Sequence, residues 1–224
     1  SMLRHFAMSF VALILTAGAA LAQQVPATQL LAALRAESAP ANTIWLDSLD
    51  LSPMTAGWGT ARAGQSVEGK PLRLNGVVFP HGVGTHAGSD YLIELKGSAT
   101  RFVSLVGLDQ AITAQGSVVF QAWADSGQKA LTPVMHPGMQ TILDVDLTGA
   151  NWLLLRVTDG GDGNSVDVAD WAGALIFLAA GPEKRPTGSS DSAKRSEFIR
   201  KAQEAQRGDA LLVAERNYRE NYSS

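Results

Sequence analysis

Residues 158–172 read Thr-Asp-Gly-Gly-Asp-Gly-Asn-Ser-Val-Asp-Val-Ala-Asp-Trp-Ala and stand between two apolar runs, residues 152–157 and 174–178. Short apolar runs bounded by turn residues are typical of buried β-strands. Glycine tolerates positive φ at little cost, so the three glycines allow a tight turn between these runs. The stretch therefore predicts an acidic loop that joins two core strands of a β-domain.

The aspartates of this loop predict a cation site. Carboxylates repel one another at such density unless a hard cation lies among them, and Ca²⁺ binds six to eight oxygens. Backbone carbonyls and an aspartate from another loop would complete the set, so the predicted ligands are Asp159, Asp162, Asp167 and Asp170, with Asp47 or Asp109. The spacing does not match an EF-hand loop. A solvated turn without an ion is the alternative, because Asp and Gly are ordinary turn residues.

Outward from the loop, residues 44–178 alternate short apolar runs with clusters of Gly, Asp, Ser and Pro. Strands of about five residues with frequent turns favour an antiparallel sandwich or barrel over βαβ units. The predicted strands are residues 72–74, 77–79, 91–95, 101–106, 117–124, 141–147, 152–157 and 174–178. We expect an all-β domain over residues 44–181.

Residues 1–22 have the composition of a secretory signal peptide, with Ser1 as an extra residue before Met2. A short basic start precedes an apolar run over residues 6–15 and a small-x-small motif at residues 20–22. The apolar run is shorter than the roughly 20 residues that span a bilayer. We therefore expect a secreted or periplasmic protein without a membrane span. A buried N-terminal helix is the alternative.

Composition limits the possible partners and cofactors. The chain has no cysteine, so an exported form has no disulfide and depends on its core and on an ion for stability. Its 4 histidines are scattered, without the spacing of a transition-metal site. Residues 44–181 have 13 Asp and Glu against 7 Lys and Arg. This acidic balance argues against nucleic acid, whose binding requires a basic surface.

Helices are predicted on both sides of the β-domain. Residues 23–43 contain a short helix over residues 28–38, capped by Thr28, and a linker. Residues 182–191 form a linker, and residues 192–224 a charged helical tail with a break at Gly208. The apolar stripe of the tail is too thin for a core of its own. We expect the tail to pack on the β-domain, bind a partner, lead into a longer chain or stay solvated.

Several motifs follow one another in a fixed order: WLDSL at 45–49 with GWG at 57–59, GKPLRLNG at 69–76, GVGTHA at 82–87, FVSLVGLD at 102–109, GSVVF at 116–120, DGGDG at 159–163 and DVADWA at 167–172. Together they resemble the NPCBM type of carbohydrate-binding domain, the family 51 carbohydrate-binding modules. The resemblance covers roughly residues 44–180.

The resemblance implies a jelly-roll β-sandwich that binds galactose-type sugars, has a structural calcium ion and lacks catalytic activity. Such domains accompany glycoside hydrolases, including α-galactosidases, so the chain could be the binding module of a longer hydrolase. One departure concerns Val168, where the family often has histidine. The missing imidazole removes one possible polar contact with a sugar.

A sugar has hydroxyls at its edge and apolar C–H patches on its faces, so its site needs an aromatic platform beside fixed polar groups. Trp58 stands between two glycines and Trp171 beside the acidic loop, whereas Trp123 and Trp152 lie inside apolar strands and are expected in the core. The predicted binding residues are Trp58, His86, Trp171 and Arg101. For both tryptophans the alternative is a packing role, and for His86 a hydrogen bond to a neighbouring strand.

No catalytic residues are predicted. Glycoside hydrolysis needs two carboxyl groups across a cleft, and the only glutamates of the β-domain, Glu68 and Glu94, lie in ordinary turn or strand contexts. We therefore expect non-catalytic binding of terminal galactose-type sugars. The alternative is a protein-interaction module that docks a partner through the C-terminal helix. An exposed Trp58 in a concave site favours sugar, whereas burial of both Trp58 and Trp171 favours a protein partner.

Overall fold

A computed structural model describes residues 27–112, 115–125, 127–180 and 184–222. The predicted signal peptide lies outside the described residues, as do the side chain of Thr28, residue 181 at the end of the predicted β-domain and residues 182–183 of the predicted linker. In the described ranges, no helix combines the length and the apolar character needed to cross a membrane.

Within these ranges the chain forms two α-helices, thirteen β-strands and a 3₁₀ turn at Leu46–Ser48. The elements are α1 (Ala27–Leu34), β1 (Thr43–Trp45), β2 (Arg62–Ala63), β3 (Leu72–Leu74), β4 (Val77–Phe79), β5 (Gly82–His86), β6 (Ser89–Glu94), β7 (Ala99–Leu108), β8 (Val118–Ala124), β9 (Gly127–Leu131), β10 (Gln140–Asp146), β11 (Trp152–Asp159), β12 (Val168–Leu178), β13 (Thr187–Gly188) and α2 (Ser192–Tyr222).

The strands form two antiparallel sheets that face each other as an all-β sandwich, which confirms the predicted fold class. The larger sheet has the order β10-β7-β12-β5-β2, with β1 also paired to β12. The smaller sheet has the order β13-β6-β11-β8-β9, and β3 and β4 form a separate hairpin. Because β12 pairs with β7, β5 and β1, the acidic loop leads directly into the centre of the larger sheet.

The main core lies between the two sheets, around Trp171 of β12. Its indole is fully buried and meets Phe102 and Phe120 edge to face, with ring centroids 5.9 and 5.0 Å apart. Alternate residues of β12 point to opposite faces of the sheet. Trp171 therefore points inward, and Asp170 points to the outer face.

Other elements cover the outer faces of both sheets. Helix α1 and the β3–β4 hairpin pack on the larger sheet through Leu34, Leu72 and Phe79. The first part of α2 packs on the smaller sheet, where Phe198 and Ala202 meet Leu92, Trp123 and Leu154. These contacts explain why the leucines of β11 are buried whichever face of the sheet they occupy.

The structure corrects several local predictions. The acidic loop is shorter than expected, because β12 begins at Val168. The segment Gly82–His86, which is absent from the predicted strands, is a fully buried strand between β12 and β2. Helix α2 continues through Gly208 without a break, and Thr187–Gly188 of the predicted linker pairs with β6.

Candidate functional site

A cavity of about 460 Å³ opens at the loop edge of the sandwich. Its wall combines one exposed aromatic ring, several polar groups and an aliphatic patch. The lining residues are Gly57, Trp58, Glu68, His86, Ile112, Asn164, Ser165, Val166 and Val168. We call this space the Trp58 cavity. Of the predicted sugar-binding residues, it contains Trp58 and His86.

Trp58 stands on a loop that is fastened to the end of β5. The backbone N–H of Gly57 donates to the carbonyl of His86 at 3.2 Å. A Cβ at Gly57 would overlap the carbonyl oxygen of Ala87, so only glycine allows this close approach. The indole itself is 57 % exposed. A large exposed aromatic ring on an anchored loop is available to a ligand without rearrangement.

His86 is only 5 % exposed and meets the edge of the Trp58 ring at 6.1 Å between centroids. Its Nδ1 lies 2.9 Å from the carbonyl oxygen of Ala87. A carbonyl only accepts, so Nδ1 must donate, and in the neutral ring Nε2 is then an acceptor. His86 therefore bonds the backbone of the adjacent residue and not that of a neighbouring strand, and its second nitrogen can accept a hydroxyl proton.

The loop opposite Trp58 is held in place by Ser117. The backbone N–H of Ser117 donates to Asp167 at 2.8 Å, its hydroxyl donates to Asp162 at 2.5 Å, and its carbonyl accepts from Gly160 at 2.8 Å. Burial raises the pKa of Asp167, the hydrogen bond from Ser117 opposes this shift, and Asp162 adds to it. Asp162 and Asp167 therefore anchor the loop as hydrogen-bond acceptors.

Val166, at the end of this loop, has φ +59° and is 44 % exposed. A β-branched residue is strained in the left-handed region. Strained backbone persists where its surroundings impose it, often at ligand sites. Val166 directly precedes Asp167, which is anchored by Ser117, and it lines the cavity.

Replacing Val166 with glycine is expected to stabilise the protein by about 0.5–1 kcal/mol, because relief of strain outweighs the added freedom of the unfolded chain. The melting temperature should rise by roughly 2–4 °C per kcal/mol, as measured by calorimetry. Val78 of β4 is also 44 % exposed and lies in a strand. Val78→Gly is therefore the matched control, and it should lower the melting temperature. Equal losses in both variants would contradict strain at Val166.

Two predicted sugar-binding residues lie elsewhere. Trp171 is fully buried between the sheets, because its position in β12 points it inward. Arg101 is near the start of β7, whose seven-residue span to Leu108 at the loop edge covers roughly 23 Å. Its guanidinium forms a two-bond pair with Asp144 at 2.6 and 2.7 Å. Neither side chain reaches the Trp58 cavity.

The structure separates the six predicted calcium ligands. Asp47 accepts hydrogen bonds from His81 and Gly82 at 3.1 Å, while Asp159 and Asp162 are exposed on the loop. Among the described residues, no group of three or more Asp, Glu, His or Cys side chains is placed to share a metal ion. The six side chains therefore do not form one cluster, and a site of two carboxylates completed by backbone carbonyls stays a prediction.

Asp109 and Asp170 are the exception, since they form a buried pair. Asp170 is fully buried, and neither of its oxygens has a partner in hydrogen-bonding geometry. Burial, above all, and the nearby Asp109 carboxyl raise the pKa of Asp170 well above its usual range. Asp109 accepts the backbone N–H of Ala111 at 2.8 Å. A cation would offset the charge of this pair, although calcium would need further oxygens.

Comparison with known proteins assigns the family. The model of the NPCBM/NEW2 domain matches residues 42–176. The chain belongs to this family. An NPCBM domain of this type is a non-catalytic carbohydrate-binding module, often attached to glycoside hydrolases, so the predictions of the family and of a non-catalytic role are confirmed.

The NPCBM domain also has similar solved structures. The family 51 module of a family 95 glycoside hydrolase from Clostridium perfringens, in complex with methyl-galactose, is 28 % identical, with a TM-score of 0.57 over 60 % of this chain and 99 % of that one. The second family 51 module of ZmpB from the same organism, solved with its INT domain and GlcNAc, is 31 % identical. It matches with a TM-score of 0.57 over 62 % of this chain and 32 % of that one.

A curated relative carries the name endo-alpha-N-acetylgalactosaminidase and comes from Renibacterium salmoninarum. It is 34 % identical over 132 residues, which are 55 % of this chain and 9 % of the relative. The match spans less than a tenth of that protein, so it compares this chain with one small part of a large relative.

Sequence reasoning missed most of the cavity wall. Three of the missed residues lie in the acidic loop, where the prediction considered only the aspartates. They are Asn164, Ser165 and Val166. Glu68 was taken as an ordinary turn residue, and Ile112 has no local motif. Val168 was noted only as a departure from the family pattern, and the structure places it on the cavity wall.

Proposed function

We propose that the Trp58 cavity binds a terminal sugar of the galactose type. The observation that carries this proposal is the exposed Trp58 ring on the wall of a cavity that His86 also lines. This is the concave site that favours a sugar over a protein partner. A sandwich module that binds methyl-galactose has the same fold at 28 % identity, which supports the choice of sugar.

The cavity offers each part of a hexose a suitable surface. The indole of Trp58 presents a flat apolar face to the C–H groups of the ring. Nε2 of His86 and the carboxylate of Glu68 accept hydroxyl protons, and the amide of Asn164 both donates and accepts. Specificity follows from the positions of these groups, because they must match the axial and equatorial hydroxyls.

The aliphatic patch adds a further preference. Ile112, Val166 and Val168 line the same cavity, and they cannot bond hydroxyls. A patch of this kind suits the methyl of an acetamido group. N-acetylgalactosamine is therefore the second sugar to compare with galactose, and the related ZmpB module solved with GlcNAc makes N-acetylglucosamine the third.

Isothermal titration calorimetry of the full chain tests this proposal with methyl-galactoside, the two N-acetylhexosamines, glucose and mannose. We expect galactose-type sugars to bind with a Kd of about 0.1–1 mM, since one sugar ring buries little surface, and mannose to bind more weakly. If none of these sugars binds to protein that circular dichroism shows to be folded, the proposal fails.

We further propose that Asp109 and Asp170 hold a calcium ion that stabilises the fold and does not touch the sugar. The support is the fully buried carboxylate of Asp170, whose two oxygens lack partners. Without a cation, the raised pKa of Asp170 makes its ionised form costly in the folded state. The contribution of Asp170 to stability is then greatest below the pKa of an unfolded aspartate and is lost as the pH rises through the raised pKa of the folded state.

Asp170→Asn separates a bound ion from a protonated acid. In chelator at pH 7 the variant should melt at a higher temperature than the wild type, because the amide removes a buried charge. Added calcium should stabilise the wild type and not the variant. Asp159→Asn, on the exposed loop, is the matched control and should keep the calcium response. If calcium leaves the melting temperature of the wild type unchanged, a structural calcium ion is excluded.

Export and a second binding role rest on other parts of the chain. The composition of residues 1–22 supports secretion or export to the periplasm, and the relative from R. salmoninarum supports attachment to a glycoside hydrolase.

Leu211, Leu212 and Val213 of α2 are 52–68 % exposed, which supports docking of a protein partner on that helix. Such docking would act beside sugar binding, since these residues do not line the Trp58 cavity.

A further inference from the structure

A second cavity of about 530 Å³ lies beside the Trp58 cavity. Its polar lining includes Gln115, His136, Asp162 and Ser165. Ser165 also lines the Trp58 cavity, so the two spaces adjoin across one side chain of the acidic loop. We call this space the His136 cavity.

The loop between the cavities is fixed before any ligand arrives. Asp162 accepts the hydroxyl of Ser117 at 2.5 Å, and Asp167 accepts its backbone N–H at 2.8 Å. These two bonds fix the loop at Asp162 and at Asp167. Asn164, Ser165 and Val166 lie between the two fixed aspartates. A ligand that contacts both cavities therefore meets a preorganised surface, which lowers the entropy cost of binding.

The charge of the His136 cavity restricts what it can hold. Asp162 is a carboxylate, and no Lys or Arg is among the described residues that line the space. The amide of Gln115 offers donors and an acceptor, and the ring nitrogens of His136 form hydrogen bonds as well. Such a lining suits a neutral, hydroxyl-rich group and repels an anion.

We propose that the His136 cavity binds the sugar residue next to the terminal one, so that the recognised unit is a neutral disaccharide or longer glycan. This inference rests on the proposed function of the Trp58 cavity. The terminal ring contacts Trp58, the glycosidic bond passes Ser165, and the second ring bonds Gln115 and His136. Glycans with a sialic acid or a sulfate at the second position are excluded by Asp162.

The experiment measures, by calorimetry on the full chain, the ratio of affinities between disaccharides and methyl-galactoside. The probes are lactose, N-acetyllactosamine and Galβ1-3GalNAc, together with an anionic disaccharide that has galactose at its end. We expect at least one neutral disaccharide to bind about tenfold more tightly than methyl-galactoside, and the anionic one to gain nothing.

Two variants test whether the tighter binding of disaccharides comes from the His136 cavity. In a Gln115→Ala/His136→Ala double variant the tenfold advantage should disappear, while the affinity for methyl-galactoside stays the same. Gln128 is exposed on β9 of the smaller sheet. Gln128→Ala is the matched control and should keep the tenfold advantage. An advantage that survives in the double variant, or no advantage in the wild type, overturns the second-ring site alone. Absence of binding by all the monosaccharides of the first titration overturns both this site and the proposed function.

Discussion

Trp58→Ala is expected to abolish measurable sugar binding while leaving the melting temperature within a degree or two of the wild type. The indole is 57 % exposed, and its described ring contact is the edge of His86. Central aromatic residues of binding sites contribute about 2–4 kcal/mol, which is a loss of roughly 30-fold or more. An exposed side chain contributes little to folding, within about 0.5 kcal/mol.

Calorimetric titration with methyl-galactoside and thermal unfolding by circular dichroism measure the two effects separately. Trp58→Phe is the control, because a smaller ring keeps a flat face and should keep part of the affinity. Undiminished binding by the alanine variant would place the sugar elsewhere on the domain.

Trp171→Ala is expected to have the opposite profile. Its ring is fully buried against Phe102 and Phe120, so its loss leaves a cavity in the main core. Truncation of a buried tryptophan costs about 3–5 kcal/mol, a large part of the 5–15 kcal/mol that typically stabilises a domain. Equilibrium unfolding in urea should show a much lower midpoint.

Trp171→Phe provides the comparison for this second prediction, since it keeps an aromatic ring in the core and should lose less stability. Where the alanine variant still folds, it should keep its affinity for sugar, because Trp171 does not line the Trp58 cavity. An alanine variant with wild-type stability would contradict the central position of Trp171 in the core.

These two tryptophans show what the sequence could and could not predict. Glycines on both sides of Trp58 indicated an exposed loop, and that signal was local. Trp171 also adjoins a glycine- and aspartate-rich stretch, but β12 starts at Val168 and not after the tryptophan. The orientation of its side chain depends on pairing with β5 and β7, which are distant in sequence. Strand pairing of this kind cannot be inferred from neighbouring residues.

The acidic loop had a similar limit. Its aspartates predicted a shared cation, because their density in the sequence implies repulsion. In the fold, Ser117 supplies hydrogen-bond donors to Asp162 and Asp167, so these two carboxylates depend less on a cation. Ser117 lies more than 40 residues before them and had no motif that marked it as a donor.

Strand β5 was missed because its sequence looks like a turn. Gly84 is needed there because a Cβ would overlap the backbone of Gln65 and Ser66, which cross closely over the strand. Glycine therefore serves close approach at this position, and not chain reversal. The mainly apolar runs at residues 152–157 and 101–106 were predicted correctly as strands, because burial on both faces leaves few polar residues in the pattern.

The covered faces of the sandwich determine which polymers the domain can recognise. In the described part of the chain, α1 and the β3–β4 hairpin pack on one sheet and α2 packs on the other, so a long polysaccharide meets covered sheet at these places. The loop edge admits chain termini and short branches. The amount of protein that binds to a given mass of polysaccharide should then increase with the number of chain termini. Partial hydrolysis, which shortens the chains at constant mass, should increase that amount.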